Sequence, residues 1–467
     1  MAESLQEKEC NVVKLFHELW EELLKQRINE LVHNQRDKDK VAEIIKREIE
    51  DFLRTFPFRD RFNLHPDAKD NAKALAARNC GNERFAPSIG EYMESLQHYN
   101  ESIAYSEQGS ETRALAYGNR SAVCLKFGLY EECLENIRLA RASNYPMQLA
   151  DKLNKREQYV KRCIEEDAEE FSDKLSYEAH ANVPQLVKCV ELRQNSEFGR
   201  HLVTTQHLKA GDVLLIEKPY ASMLNDKERY KRCAFCHNED TFTLIPCEGC
   251  TLTMYCSDEC MDKAYKQYHR YECGVLRDCW RIAGRLVGGI VGLRMVATAI
   301  ASFEQDLEGW TNHLNALDET KVNAFTVDWN KVTDSDIYDT VHVLATNQKR
   351  RSREDLAVLM FFTSIVHRLL LERTDLGPFC ESSPTRSKLL FDLLLRHWQT
   401  SLINKKQVDD EEEYSDEMHA IAVYPLFSMV NHSCIPNVAP IHLLDGRCAF
   451  VATRPIAAGE QLFDVYA

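Results

Sequence analysis

The spacing of hydrophobic positions changes several times along the chain, and those changes divide it. From residue 1 to about 55, Val12, Leu15, Phe16, Leu19 and Leu23, then Ile28, Leu31, Ile44, Ile45 and Ile49, recur at three- and four-residue steps. That is the period of one buried helix face. Residues 147–180 are charged and predict more helix, ending in a turn at 177–184. Strand-type sequence follows at 186–192 and, after the Ala210-Gly211 turn, at 212–217. Helical periods return from 275 to about 405, clearest over 358–371 and 388–398. Segments 420–424, 448–453 and 461–465 close the chain as strands. The order predicts an α+β multidomain protein, with a helical first part and a β-rich remainder split by helices.

Residues 72–146 carry a different pattern. Leu115-Ala-Tyr-Gly-Asn-Arg-Ser-Ala122, then Gly128, Tyr130, Cys133, Ile137, Ala140 and Pro146, resemble a tetratricopeptide repeat of about 34 residues. Ser121, Cys133 and Ala140 take the places where paired helices approach; Tyr117, Tyr130 and Ile137 take the large ones. Gly81, Phe85, Tyr92, Leu96, Tyr99 and Ser102 resemble a diverged preceding repeat. Two repeats need flanking helices as caps. The alternative is an unrelated helical hairpin. If the repeats are real, their concave face is a peptide-binding surface.

Composition narrows the classes. A chain of 467 residues suits roughly two to four domains. Its 58 basic and 73 acidic residues give −15, a poor balance for binding nucleic acid, which needs clustered Lys and Arg. The first ten residues lack the apolar core of a leader. The longest apolar stretch, 282–303, is broken by Arg285 and Arg294 and contains glycines, so it predicts a closely packed buried helix and no membrane association. The expectation is an intracellular protein with reduced cysteines, cytoplasmic and nuclear. Lys349-Arg-Arg-Ser-Arg353 has the look of an import patch, but Ser352 with Asp355 three residues on predicts a helix N-cap instead. The acidic run 409–413 predicts a solvated loop.

Seven of the 17 cysteines fall between Cys233 and Cys273. They read Cys233-x2-Cys236, Cys247-x2-Cys250, Cys256-x3-Cys260 and His269-x3-Cys273. These eight ligands suffice for two tetrahedral zinc ions. So short a segment buries little apolar surface, and metal binding would supply its folding free energy. A disulfide framework does not suit this spacing in a reducing compartment. His237, beside a ligand but off the spacing, reads as an exposed loop histidine.

Asn431-His-Ser-Cys-Ile-Pro-Asn437 is a polar turn by composition. Followed by Gly459-Glu-Gln-Leu-Phe-Asp-Val-Tyr466, it resembles the C-terminal core of SET-domain lysine methyltransferases. Asn195-Ser-Glu-Phe-Gly-Arg200 with Leu208-Lys-Ala-Gly-Asp212 resembles the opening of the same domain, and the cysteine segment resembles a MYND finger. A SET domain split by a MYND finger and a helical insert is the arrangement of the SET and MYND domain-containing family. The repeat-like region points to that family's fourth-member branch with its arthropod relatives. The resemblance implies an S-adenosyl-L-methionine-dependent protein-lysine N-methyltransferase with two structural zinc ions. It implies interleaved ligand sets, Cys233, Cys236, Cys256 and Cys260 for one ion and Cys247, Cys250, His269 and Cys273 for the other. It places Ser196, Glu197, Phe198, Gly199, Asn431, His432 and Tyr466 around the cofactor, with Tyr466 catalytic at the reacting centre. It implies protein substrates with a target lysine, and peptide partners for the finger and the repeat-like region.

The implied division is a helical region 1–71, repeats 72–146, a helical linker 147–182, a first SET part 183–232, the finger 233–273, a helical insert 274–416 and the SET core 417–467. The sequence stops at Ala467, so the post-SET cysteines that join Cys434 around a third zinc in related enzymes are not expected. Asn404 matches an asparagine at the end of the insert in the family, whereas Lys405-Lys406 departs from the small residues found there. The competing function is a non-catalytic adaptor built from finger and repeats around an incomplete SET core.

Overall fold

The structure is a computed structural model and describes residues 18–33, 35, 37–161, 174–408, 419–443 and 446–465. It has the α+β organisation expected, divided into two compact units, one built mainly from 66–171 with 226–265, the other from 8–65, 172–225 and 266–467.

In the first unit, four helices form two antiparallel hairpins: α1 (Asn71–Phe85) with α2 (Tyr92–Tyr105), and α3 (Glu111–Phe127) with α4 (Tyr130–Ala142). Helix α5 (Ala150–Val160) follows. Caps set the boundaries. Asp70 accepts from Ala72 and Lys73 at the start of α1, Ser110 accepts from Arg113 at the start of α3, and Gly128 closes α3 at φ 74°. The small positions lie where the paired helices meet. Ser121, Cys133 and Ala140 are fully buried, and Cys133 Sγ donates to the Ser121 carbonyl at 3.2 Å. A Cβ at Gly81 would sit 2.6 Å from the Tyr99 ring, so α1 and α2 can approach this closely only without a side chain there.

The second unit holds the sheets. Strands β1 (Ala179–His180), β2 (Val183–Val187), β3 (Val190–Asn195), β4 (Gly199–Thr204), β5 (Val213–Glu217) and β6 (Ala221–Leu224) precede the finger. Strands β7 (Lys405–Val408), β8 (Ala420–Val423), β9 (Asn431–His432), β10 (Val438–His442), β11 (Cys448–Ala452) and β12 (Phe463–Asp464) follow the insert. Five form one sheet in the order β1-β2-β5-β11-β10, three form β6-β8-β7, and β3-β4 is a hairpin. Pro440 sits on β10, an edge strand, where its missing N–H breaks no inner ladder. The single strand expected at 186–192 is two, because a turn at Lys188-Cys189 sends β2 into the five-stranded sheet and β3 into the hairpin. The strand expected at 461–465 narrows to β12.

Helices α6 (Val291–Ser302), α7 (Arg353–Arg373) and α8 (Pro384–Asn404) are the longest of the insert. Ser352 caps α7 by accepting from the Asp355 N–H. A Cβ on Gly292 would lie 2.8 Å from the His397 backbone, so the glycine lets α6 and α8 touch main chain to main chain. The helix Lys38–Thr55 is capped by Asp37, buries Val41, Ile45, Ile49 and Leu53, and packs on α7. Leu31 of the expected stripe is exposed; Val12, Leu15 and Phe16 lie outside the described residues. Among the described residues no helix is long and apolar enough to cross a membrane.

Candidate functional site

Short paired segments and one helix shape the finger. Residues Ile245–Pro246 pair antiparallel with Met254–Tyr255, and the helix Asp258–Ala264 starts at Ser257, which accepts from the Cys260 N–H at 3.2 Å. The Cys233 carbonyl accepts from the His237 N–H, and His237 sits in the left-handed region at φ 65°. This closes the first knuckle. His237 is buried, not exposed, because its backbone makes that turn and its carbonyl receives Arg232 at 3.3 Å.

The ligand atoms of Cys233, Cys236, Cys256 and Cys260 lie within 4.8 Å of one another, and so do those of Cys247, Cys250, His269 and Cys273. Four sulfurs, and three sulfurs with an imidazole, are the donor sets of structural zinc. Contacts from Cys236 and Cys256 hold the Cys233 thiol well below its ordinary range, while Cys236 is pushed up. A cation is what allows such a set to deprotonate together. Glu272 lies 3.9 Å from His269 Nδ1 and is bridged to Arg294 at 2.7 Å. Burial pushes Glu272 up, but Arg294 overrides it and holds the carboxyl at about 2. The carboxylate lies within ion-pair reach of the imidazole. Sequence spacing missed this partner, as it missed Lys69, which donates to the carbonyls of Cys247 and Cys250.

A second constellation forms where the sheets end. Strand β9 runs parallel to β12, with Asn431 opposite Phe463 and His432 opposite Asp464. Ser433 N–H donates to Asp464 at 2.8 Å and Asn437 N–H to Phe463 at 3.1 Å. The Asn437 side chain, fully buried, donates to the Gln461 carbonyl at 2.8 Å and accepts from the Phe463 N–H at 2.8 Å. Lys406 pairs with buried Asp464, which gives the unexpected lysine a place. Asn404 donates to the Ala345 and Thr400 carbonyls and so fastens the end of α8.

The opening loop meets these strands. Asn195 Oδ1 accepts from Glu197 and Phe198, and Gly199 takes φ 65°. These two features turn the chain tightly and leave Ser196, Glu197, Phe198 and Gly199 exposed. Asn431 Nδ2 donates to the Phe198 carbonyl at 3.0 Å. The Phe198 ring lies edge-on to His201 and Phe463, and the three line a cavity of about 480 Å³ with Arg193, Asn195 and Gln461. His432 is exposed, with Nε2 3.4 Å from Cys434 Sγ. Tyr466 lies outside the described residues. The structure therefore brings Phe198 and Gly199 to Asn431 and leaves the tyrosine unplaced. Asn437, part of the motif but not among the expected site residues, is the pin between its two halves. Its burial is the signal that sequence lacked.

The SET domain family's sequence model matches residues 199–467, more than half of the chain. The chain belongs to the SET-domain family. It is 23% identical over 423 residues to the protein-lysine N-methyltransferase SMYD4 of Danio rerio, covering 79% of this chain and 55% of that protein. It is 24% identical to SMYD4 of Gallus gallus, covering 85% and 68%, and 24% identical to N-lysine methyltransferase SMYD2-B of Xenopus laevis, covering 57% and 52%. The matched part thus spans a little over half to about two thirds of these relatives.

Proposed function

We propose that the chain is a protein-lysine N-methyltransferase that takes its methyl group from S-adenosyl-L-methionine. The observation that carries the reading is the hydrogen bond from Asn431 to the Phe198 carbonyl, which joins the opening loop to the C-terminal strands of a SET domain. The residues suit an adenosyl amino acid. Exposed backbone from Ser196 to Gly199 offers hydrogen-bonding groups, Phe198 offers a ring face, and Asn431 and His432 stand on β9, tied to the loop by Asn431. The bound cofactor supplies a methyl group already activated by a sulfonium.

The chain's own task is alignment. Ser196–Gly199, Asn431 and His432 would hold the donor, and Tyr466 is the proposed catalytic residue, its hydroxyl acting at the transition state. Bringing donor and acceptor into line is a proximity effect and asks little covalent chemistry of the protein. The lysine must arrive neutral, and a dry channel lowers an amine pKa. The zinc ions hold the finger and stay out of the reaction. Its substrates are proteins, with the finger and helical hairpins contributing to partner binding. The hairpins are proposed to be tetratricopeptide-like. A cytoplasmic and nuclear location fits the fact that every described cysteine is free of disulfides.

Calorimetry of the zinc-loaded chain with S-adenosylhomocysteine tests the reading, followed by transfer of labelled methyl to lysines of an extract. Tyr466→Phe should slow single-turnover transfer by about a hundredfold or more and leave cofactor affinity nearly unchanged. A folded, zinc-loaded chain that binds no cofactor would instead be the adaptor.

A further inference from the structure

A three-residue relay crosses the first unit. Asn100 on α2, Arg120 on α3 and Asn136 on α4 are each fully buried. Arg120 Nη1 donates to Asn100 Oδ1 at 2.8 Å, and Arg120 Nε donates to Asn136 Oδ1 at 2.6 Å. Each of the three also donates to one segment of main chain. Asn100 Nδ2 donates to the Thr241 carbonyl at 2.7 Å and to that of Tyr230 at 2.9 Å. Asn136 Nδ2 donates to the Phe242 carbonyl at 2.7 Å, and Arg120 Nη1 to the Leu244 carbonyl at 2.9 Å. Three carbonyls within four residues, 241, 242 and 244, are read by three successive helices. Two asparagines and an arginine that face backbone oxygens recognise an extended chain whatever its side chains.

The contact is more than polar. Phe242 packs on the cluster of Leu96, Tyr99 and Val123 and stacks edge-on with Phe127 at 5.9 Å. Arg113 bridges to Glu248, and Asp67 accepts from the Thr251 N–H at 2.7 Å and from its hydroxyl at 2.9 Å. Lys69 donates to the carbonyls of Cys247 and Cys250. Arg120 is a buried cation whose hydrogen bonds go to amide and carbonyl oxygens, none to a carboxylate among the described residues. A charge so placed is costly without its acceptors. The helices therefore need the segment as much as the segment needs the helices.

We infer that Asn100, Arg120 and Asn136 form a peptide-backbone-binding site whose occupant is the chain's own finger segment 241–251. The helical hairpins hold the loop after the first cysteine knuckle together with the second knuckle, and metal loading and hairpin packing are coupled. A foreign peptide reaches this face only by displacing 241–251. The inference concerns the hairpins and the finger and stands apart from the methyltransferase reading.

Hydrogen exchange on the full zinc-loaded chain tests it. Asn136→Ala should raise exchange in 238–252 by about tenfold or more, the effect expected from losing hydrogen bonds that hold a local segment. Peptides from 213–217 and 448–452 should not change. The same variant should lose zinc to a chelator faster. Unchanged exchange in 238–252 would overturn the inference. If Asn136→Ala unfolds the hairpins outright, Phe242→Ala decides, since it removes only a half-buried ring at the edge. It should raise exchange both in 238–252 and in the amides of 95–104, and a rise confined to the finger would overturn the coupling.

Discussion

Asn431 donates its side-chain amide to the carbonyl of Phe198, a residue 233 positions earlier in the chain, at 3.0 Å. The bond fixes the exposed opening loop against β9, so the loop's backbone is presented in one conformation.

Removing that amide should be felt in cofactor binding. Asn431→Ala is expected to raise the dissociation constant for S-adenosylhomocysteine by about tenfold to a hundredfold, the cost of one or two unmade hydrogen bonds. Calorimetry reads it directly. An unchanged constant would separate Asn431 from the cofactor and leave it a purely structural tie.

The two cysteine groups predict the metal content of the described finger. Elemental analysis of the purified chain should show zinc filling both groups. Cys256→Ser should empty the set of Cys233, Cys236 and Cys260 and loosen the finger, because zinc binding supplies much of such a segment's folding free energy. Metal-free protein with a fully ordered finger would contradict this.

Asn437 should matter to stability out of proportion to its size. Its side chain serves the Phe463 N–H and the Gln461 carbonyl in a site that excludes water. Asn437→Ala leaves both unpaired and is expected to cost about 2–4 kcal/mol. Arg454→Ala, an exposed neighbour paired with Glu460, should cost under about 1 kcal/mol. Urea midpoints of the two variants check the contrast.

Acid should weaken the insert first. Burial, with Arg396 next, lowers His342 to about 4, and burial lowers His367 to about 4 and His397 also downward. The folded state thus binds these protons less tightly than the unfolded chain. Their stabilising contribution is complete above pH 6.5 or so and is lost as pH falls toward 4. His367→Gln keeps a donor for the Ser387 carbonyl, which His367 Nε2 faces at 3.1 Å, and removes one titration. It should make the fall in melting temperature between pH 7 and 4.5 shallower, and an unaltered slope would show that the His367 site does not drive it.

Sequence alone determined whatever depends on near neighbours. The cysteine spacing set the ligand pairs, because residues two or three apart must share a turn, while the interleaving of the pairs came from the resemblance to a MYND finger. Ser352 with Asp355 set the start of α7, and the Ala-Gly pairs set turns, with Gly211 and Gly459 at φ 88° and 86°. The Asn-His-Ser-Cys motif marked the core because its order of residue types is specific. Tertiary structure decided what joins distant segments. No local pattern says that β2 and β3 part company at Lys188, that His237 is buried, that Lys406 finds Asp464, or that Asn437 pins β9 to β12. Nor does any pattern say that three polar residues at 100, 120 and 136, each unremarkable on its own helix, converge on the carbonyls of 241, 242 and 244. Such pairings are fixed by the close packing of whole elements, which alone decides which polar groups must be satisfied away from water.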